Sequence, residues 1–215
     1  MRILALDASS EFGSLALEEN GVLVEEAPLY SPDGFAHTLF PQIERLLARH
    51  GWTYESVDGY ASTAGPGSFT GVRVGLTAVK GLAEAAGRKA AGVSTLAAVA
   101  WFGSAALRAA VIDARRGEIY GGLFDAALRP LRAEVVSKLT GWLATLPSAP
   151  ELEFVTPQPE RFSEALAGRR VVTAPRSLAR AVARLAADRL ADPAALDASY
   201  VRRSDAELKW TDGSA

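Results

Sequence analysis

The chain of 215 residues contains no cysteine, one methionine and only two histidines. Without cysteine there can be no disulfide, no thiolate nucleophile and no Cys-based zinc site. His37 and His50 stand apart from any H-E-x-x-H pattern, so a surface or capping role is expected of each. Long apolar runs are missing as well. The least polar stretch, residues 93–107, is broken by Ser94, Thr95, Gly103 and Ser104 and is too short to cross a bilayer as a helix. A strand pattern begins at Arg2 and leaves no room for a signal peptide, so the expected location is cytoplasmic, with no membrane partner. Net charge is small, −2, which excludes a general nucleic-acid binder. Only residues 169–215 lean basic, with 9 basic against 6 acidic side chains.

What is present describes a folded chain: 49% hydrophobic and 22% charged residues. Its most constrained stretch is Gly65-Pro66-Gly67-Ser68-Phe69-Thr70-Gly71, set between an apolar strand at 60–64 and an apolar helix at 72–86. Glycine opens backbone angles closed to other residues, proline fixes one torsion, and Ser68 or Thr70 can cap the helix. Neither phosphate-loop spacing is met, and Pro66 stands where a nucleophile elbow needs glycine. Two readings stay open: a turn that only positions backbone, and a turn that offers its amides to an anion or a partner.

Three strands open the chain, with Asn20-Gly21 signalling a type I′ hairpin between the second and third, and Asp7 ends the first. Residues 38–48 have helical period, with Thr38 as the expected N-cap and Pro41 at the third helical position. In the helix 72–86, Gly71, Gly75 and Ala78 form a stripe of small residues that another backbone can approach, within this chain or across an interface. Ser94 is expected to cap a short helix after a strand at 90–93. The pattern then repeats at an offset of 106 residues, with Val111-Ile112-Asp113-Ala114 matching Ala5-Leu6-Asp7-Ala8 and strands following at 119–124 and 131–136. Short strands at 152–155 and 170–173 and helices at 140–146, 161–167 and 176–190 complete a proline-interrupted second copy. Arg176, Arg180 and Arg184 are expected on one solvated helix face. By analogy, the fold class is α/β, an actin-like (ASKHA) duplicated ribonuclease-H-like fold with mixed sheets. Its subdomains are expected at 1–102 and 109–215, with Asp7 and Asp113 facing a cleft between them.

Five segments resemble one family, the bacterial TsaB (YeaZ) proteins of transfer-RNA threonylcarbamoyladenosine biosynthesis. They are ILALDASS from Ile3 to Ser10, HTLFP from His37 to Pro41, GPGSFTGVRVG from Gly65 to Gly75, DARRGEIY from Asp113 to Tyr120, and Tyr200-Val201-Arg202-Arg203 with Lys209. The resemblance implies a non-catalytic scaffold or activator that pairs with a catalytic paralogue, TsaD, joined by a TsaE-like ATPase, and that meets tRNA only through the complex. It also implies self-association as a homodimer when the paralogue is absent. The partner surface is expected on the two helices, through Leu39, Phe40, Ile43, Leu47, Gly71, Val72, Gly75, Leu76, Ala78 and Val79. Asp7, Ser9, Ser10 and Asp113 are the candidates for facing a nucleotide or the cleft. No metal ligand, catalytic residue or firmly bound cofactor is expected, with ATP or ADP entering only in the complex. Arg202, Arg203 and Lys209 are expected to help hold a partner or tRNA. A competing expectation is a free-standing actin-like ATPase or small-molecule kinase using Asp7 and Asp113 with magnesium. A metallopeptidase-like hydrolase is a third, opposed by the missing histidines.

Overall fold

The computed structural model describes residues 1–199 and 201. Two five-stranded mixed sheets are built to one plan. The first contains β1 (Arg2–Asp7), β2 (Phe12–Glu19), β3 (Val22–Tyr30), β4 (Gly59–Thr63) and β5 (Lys89–Val93), in the order β3-β2-β1-β4-β5. The second contains β6 (Leu107–Arg115), β7 (Glu118–Asp125), β8 (Val135–Ser137), β9 (Leu152–Thr156) and β10 (Arg170–Thr173), in the equivalent order β8-β7-β6-β9-β10. In each copy the first two pairings are antiparallel hairpins and the last two are parallel. The duplicated actin-like α/β fold read from the 106-residue offset is therefore the observed one. Asn20 and Gly21 take φ of 53° and 81°, as a type I′ turn requires.

Alternation along the strands gives each sheet two apolar faces. On the first sheet Leu4, Leu6, Leu15, Leu17 and Tyr60 point outward, beneath α1 (Leu39–Arg49) and α2 (Phe69–Ala86). Ile3, Ala5, Ala61, Ala91 and Val93 point inward to the central core. The outer face of the second sheet is covered by Trp142 of α4 (Leu139–Thr145) and by Phe162 of α5 (Pro159–Phe162). Between the sheets lie α3 (Thr95–Ala100) and α6 (Ala179–Ala186), and each crosses over. The helix that follows the first sheet, α3, packs on β6 and β7, whereas α6 packs on β1 and β2. Among the described residues, no helix is long and apolar enough to cross a membrane.

Several expectations need correction. Thr38 makes no side-chain capping bond, and α2 begins at Phe69, three residues early, because the Ser68 hydroxyl accepts from Gly71 N. The strand at 131–136 shortens to Val135–Ser137, since Leu128 at φ 58° and Pro130 turn the chain first. The helix at 161–167 is only Pro159–Phe162. Helix α6 starts at Ala179, so Arg176 lies outside it, and its guanidinium stacks on Phe12 at 4.3 Å while Arg180 sits over Trp101 at 5.5 Å. All three arginines are exposed, as expected, but only Arg180 and Arg184 share a helix face. Tyr200, Arg202, Arg203 and Lys209 lie outside the described residues.

The small-residue stripe of α2 faces this chain's own sheet. A Cβ built on Gly71 would lie 2.0 Å from the Ala8 carbonyl oxygen, and one on Gly75 would lie 2.6 Å from Ser62 Oγ and 2.9 Å from Leu6 Cδ1. Of the ten residues expected at a partner surface, Leu39, Ile43, Leu47, Gly71, Val72, Gly75, Leu76, Ala78 and Val79 are buried within the protomer, and Phe40 alone is exposed. The third helical glycine, Gly81, has no heavy atom within 4 Å of a built Cβ. Gly75→Ala should therefore destabilise the fold by about 1–3 kcal/mol through overpacking. Gly81→Ala should stabilise it by about 1 kcal/mol through helix propensity. Urea unfolding of the two variants checks both signs.

Candidate functional site

The two β-hairpins place equivalent turns at the mouth of one cavity between the sheets. Asp7 ends β1, and its Oδ1 accepts from Ser9 N at 2.9 Å. Asp113 stands at the matching place on β6, and its Oδ1 accepts from Arg115 N, also at 2.9 Å. The same two-residue Asp turn has been kept in both copies. The strand-to-helix turn closes over the first of them: Ser68 N donates to the Ser9 carbonyl at 2.7 Å, and a Cβ on Gly67 would collide with that same oxygen. Gly65 has φ of 101°, which favours glycine, and its carbonyl accepts from Thr95 N at 2.7 Å. The turn is thus held by backbone bonds to the start of α3.

The cavity measures about 570 Å³ and is lined by Asp7, Ser9, Ser10 and Asp113 together with Gly67, Ser68, Thr70 and Gly71. All four cleft-facing candidates and much of the glycine turn come together here. The ten helix residues do not line it, apart from Gly71. Several lining or bracing residues carried no sequence signal. Thr63 Oγ1 donates to Asp7 Oδ1 at 2.9 Å, Arg161 pairs with Asp113 Oδ2 at 2.8 Å, and Gln158 Oε1 accepts from Asp113 N. Arg115 reaches from the second turn to Glu11 of the first, at 3.5 Å. That ion pair bridges the two lobes. Only the 106-residue repeat could have suggested that residues 9–11 and 115 face one another.

Asp7 is 1% exposed, and its Oδ2 and the buried Thr95 Oγ1 have no hydrogen-bond partner among the described residues. Burial pushes the Asp7 carboxyl above the ordinary aspartate value, against the opposing pull of Ser9 and Thr63. Nearby Glu26 is also raised, mainly by burial and in small part by Asp7, while it accepts from Arg180 N at 3.0 Å and from the Ser14 hydroxyl at 3.2 Å. Among the described residues, no group of three or more His, Cys, Asp or Glu could hold a metal ion. His50 caps α1, with Nε2 2.6 Å from Glu25, and His37 is exposed.

A carboxyl whose value is raised by folding binds its proton more tightly in the folded state. Its neutral form favours folding, and that contribution is lost as pH climbs from 3.8, the ordinary aspartate value, through the higher folded value. Asp7→Asn keeps an acceptor for Ser9 and Thr63 and removes the ionisation. The variant should melt above the wild type near neutral pH, with a gap that shrinks as pH is lowered towards 3.8. Thermal melts at a series of pH values read this directly.

Comparison with known proteins agrees with this geometry. The family model described as TsaD: tRNA N6-adenosine threonylcarbamoyltransferase matches residues 27–208. The Escherichia coli protein described as tRNA threonylcarbamoyladenosine biosynthesis protein TsaB is 35% identical over 170 residues, covering 67% of this chain and 73% of that one. A solved structure of YeaZ from Pseudomonas aeruginosa superposes with a TM-score of 0.76 at 27% identity, covering 93% of this chain and 99% of that one. The activator of 2-hydroxyisocaproyl-CoA dehydratase from Clostridium difficile, at 11% identity, shares the fold alone, with a TM-score of 0.52 over 87% of this chain and 95% of that one. With the paired Asp turns, the GPGSFTGVR turn over β1 and these matches along most of its length, the chain belongs to the TsaB (YeaZ) family.

Proposed function

We propose that this chain is a non-catalytic scaffold and activator subunit in threonylcarbamoyladenosine biosynthesis, working beside a TsaD-like catalytic paralogue. The observation that carries this reading is that one cleft aspartate is engaged through both oxygens and the other is buried. Asp113 is tied to Arg161 through one oxygen and to Arg115 N through the other, and Asp7 is buried beneath Ser9 and Thr63. Phosphoryl transfer needs carboxylates available to a metal ion. The turns are similarly spent, since Ser68 N is bonded to Ser9 O, Gly71 N to Ser68 Oγ, and Arg115 crosses the space between them. These residues do not fit a magnesium-bound nucleotide, so ATP or ADP enters the assembly through other subunits, including a TsaE-like ATPase. Contact with tRNA is likewise made in the cytoplasm through the complex.

The partner surface belongs to the outward sides of α1 and α2, not to the buried residues beneath them. Both helices lie on one face of the first sheet, and each opens with an exposed aromatic: Phe40 is 45% exposed and Phe69 38%. Arg73 lays its guanidinium 3.7 Å from the Phe69 ring. Aromatic side chains beside arginine are the composition of an interface anchor. The same surface supports a homodimer when the paralogue is absent. Phe40→Asp and Phe69→Asp should each weaken association with the paralogue at least tenfold, about 1.4 kcal/mol. Calorimetric titration measures the loss, and unchanged melting temperatures show that folding is intact. Full affinity in both variants would place the interface elsewhere.

A further inference from the structure

Most of the charge that lines the cavity between the sheets is compensated, and what is left over has one sign. Glu11 is paired with Arg115 at 3.5 Å and Asp113 with Arg161 at 2.8 Å. The other lining arginine, Arg176, lies 3.7 Å from Glu160 and stacks on Phe12. Asp7 and Asp33 also line the cavity, and neither makes an ion pair among the described residues. At about 570 Å³ the space is within the size range of small-molecule sites.

The buried part of this lining lacks donors. Asp7 is 1% exposed and Thr95 2%, and neither Asp7 Oδ2 nor Thr95 Oγ1 has a hydrogen-bond partner among the described residues. The fold brings them to the same end of the cavity, because Asp7 Oδ1 accepts from Thr63, and Thr63 pairs in register with Val93, two residues before Thr95. A buried acceptor without a donor costs free energy that the N–H groups of a ligand recover. Burial also raises the Asp7 carboxyl, a penalty on its charged form that a neighbouring cation offsets. The way from Asp7 to Asp33 passes an aromatic ring. A Cβ on Gly13 would lie 2.5 Å from the Asp7 carbonyl oxygen and 2.7 Å from Phe35 Cζ, so Phe35, two residues after Asp33, stands against the end of β1. Phe12 and Ile112 add further apolar wall.

We propose that this cavity binds an aliphatic diamine, with one ammonium donating to Asp7 and Thr95, the other meeting Asp33, and the methylene chain lying along Phe35. An ammonium carries three donors and no acceptor, which matches bare oxygens, and its positive charge matches the surplus carboxylates. The apolar wall between the two ends favours a hydrocarbon spacer over a hydrated metal ion. This goes beyond the scaffold reading and is independent of it, because the ligand is held by the uncomplexed chain and touches neither outward helix side.

The test is a titration of the full-length chain followed by its amide NMR shifts, using 1,4-diaminobutane, 1,6-diaminohexane and 1,8-diaminooctane as probes. Controls are 1-hexylamine, with one ammonium, and 1,6-hexanediol, with none. The expected result is saturable shifts at Ser9, Gly34 and Thr95 with a diamine, weaker binding of hexylamine and none of the diol. Asp7→Asn should lower diamine affinity by about tenfold or more. Asp33→Asn should lower it by about threefold, as loss of an exposed ion pair does, and leave hexylamine unaffected. Thr95→Val separates binding from structure: it removes a hydroxyl that has no partner, so it should weaken the diamine while the melting temperature stays at or above that of the wild type. Absence of binding by all three diamines overturns the proposal. Binding that Asp7→Asn and Thr95→Val leave unchanged overturns it too, since that is attraction to the negative surface, as do shifts confined to the surroundings of Phe40 and Phe69.

Discussion

The close approach of the start of α2 to the end of β1, backbone against backbone, is the constraint on which the rest of the molecule depends. Gly67 and Gly71 meet the carbonyls of Ser9 and Ala8 with no room for a side chain between them. This contact roofs Asp7, removes it from solvent and fixes the wall of the cleft. It also decides which face of α2 turns inward. The glycines of this helix forgo about 1 kcal/mol each in helix propensity, and at Gly71 and Gly75 the return is contact with the sheet.

The two copies of the fold have diverged around a conserved turn. In both, an aspartate carboxylate accepts from the amide two residues later. In the first copy the next side chains are small, and a long helix follows β4. In the second, Arg115 and Arg116 take φ of 64° and 57°, and the helix between β9 and β10 has shrunk to four residues. The ionic work has moved to arginine side chains: Arg161 on Asp113, Arg115 on Glu11 and Arg176 on Glu160. In the second copy the cleft wall is braced by these ion pairs, one of which, between Arg115 and Glu11, reaches across to the first.

Much of this was legible in the sequence because it is local. An apolar run ending in aspartate, repeated 106 residues on, names both hairpins and both turns, and Asn20-Gly21 names a hairpin. The orientation of α2 was not legible, since period shows that Gly71, Gly75 and Ala78 share a face but not what that face meets. The start of α6 was hidden for a different reason. Its N-terminus is satisfied from far away, with Ala179 N donating to Ser14 Oγ and Arg180 N to Glu26, so no capping residue precedes it in the chain. Without that information Arg176 reads as helical, when it is a cation stacked on Phe12. The lone acceptor on Asp7 was equally invisible, because a burial penalty belongs to the assembled fold.

The exchange of helices between the sheets has a consequence for how the chain is made. When the first sheet has emerged from the ribosome, its inner apolar face, from Ile3 to Val93, still waits for α6, nearly ninety residues further along. Contacts so distant in sequence are slow to form, and until they do the bare sheet is a surface on which chains can stick to one another. The first half without α6 is thus the form of this chain with the most apolar surface uncovered.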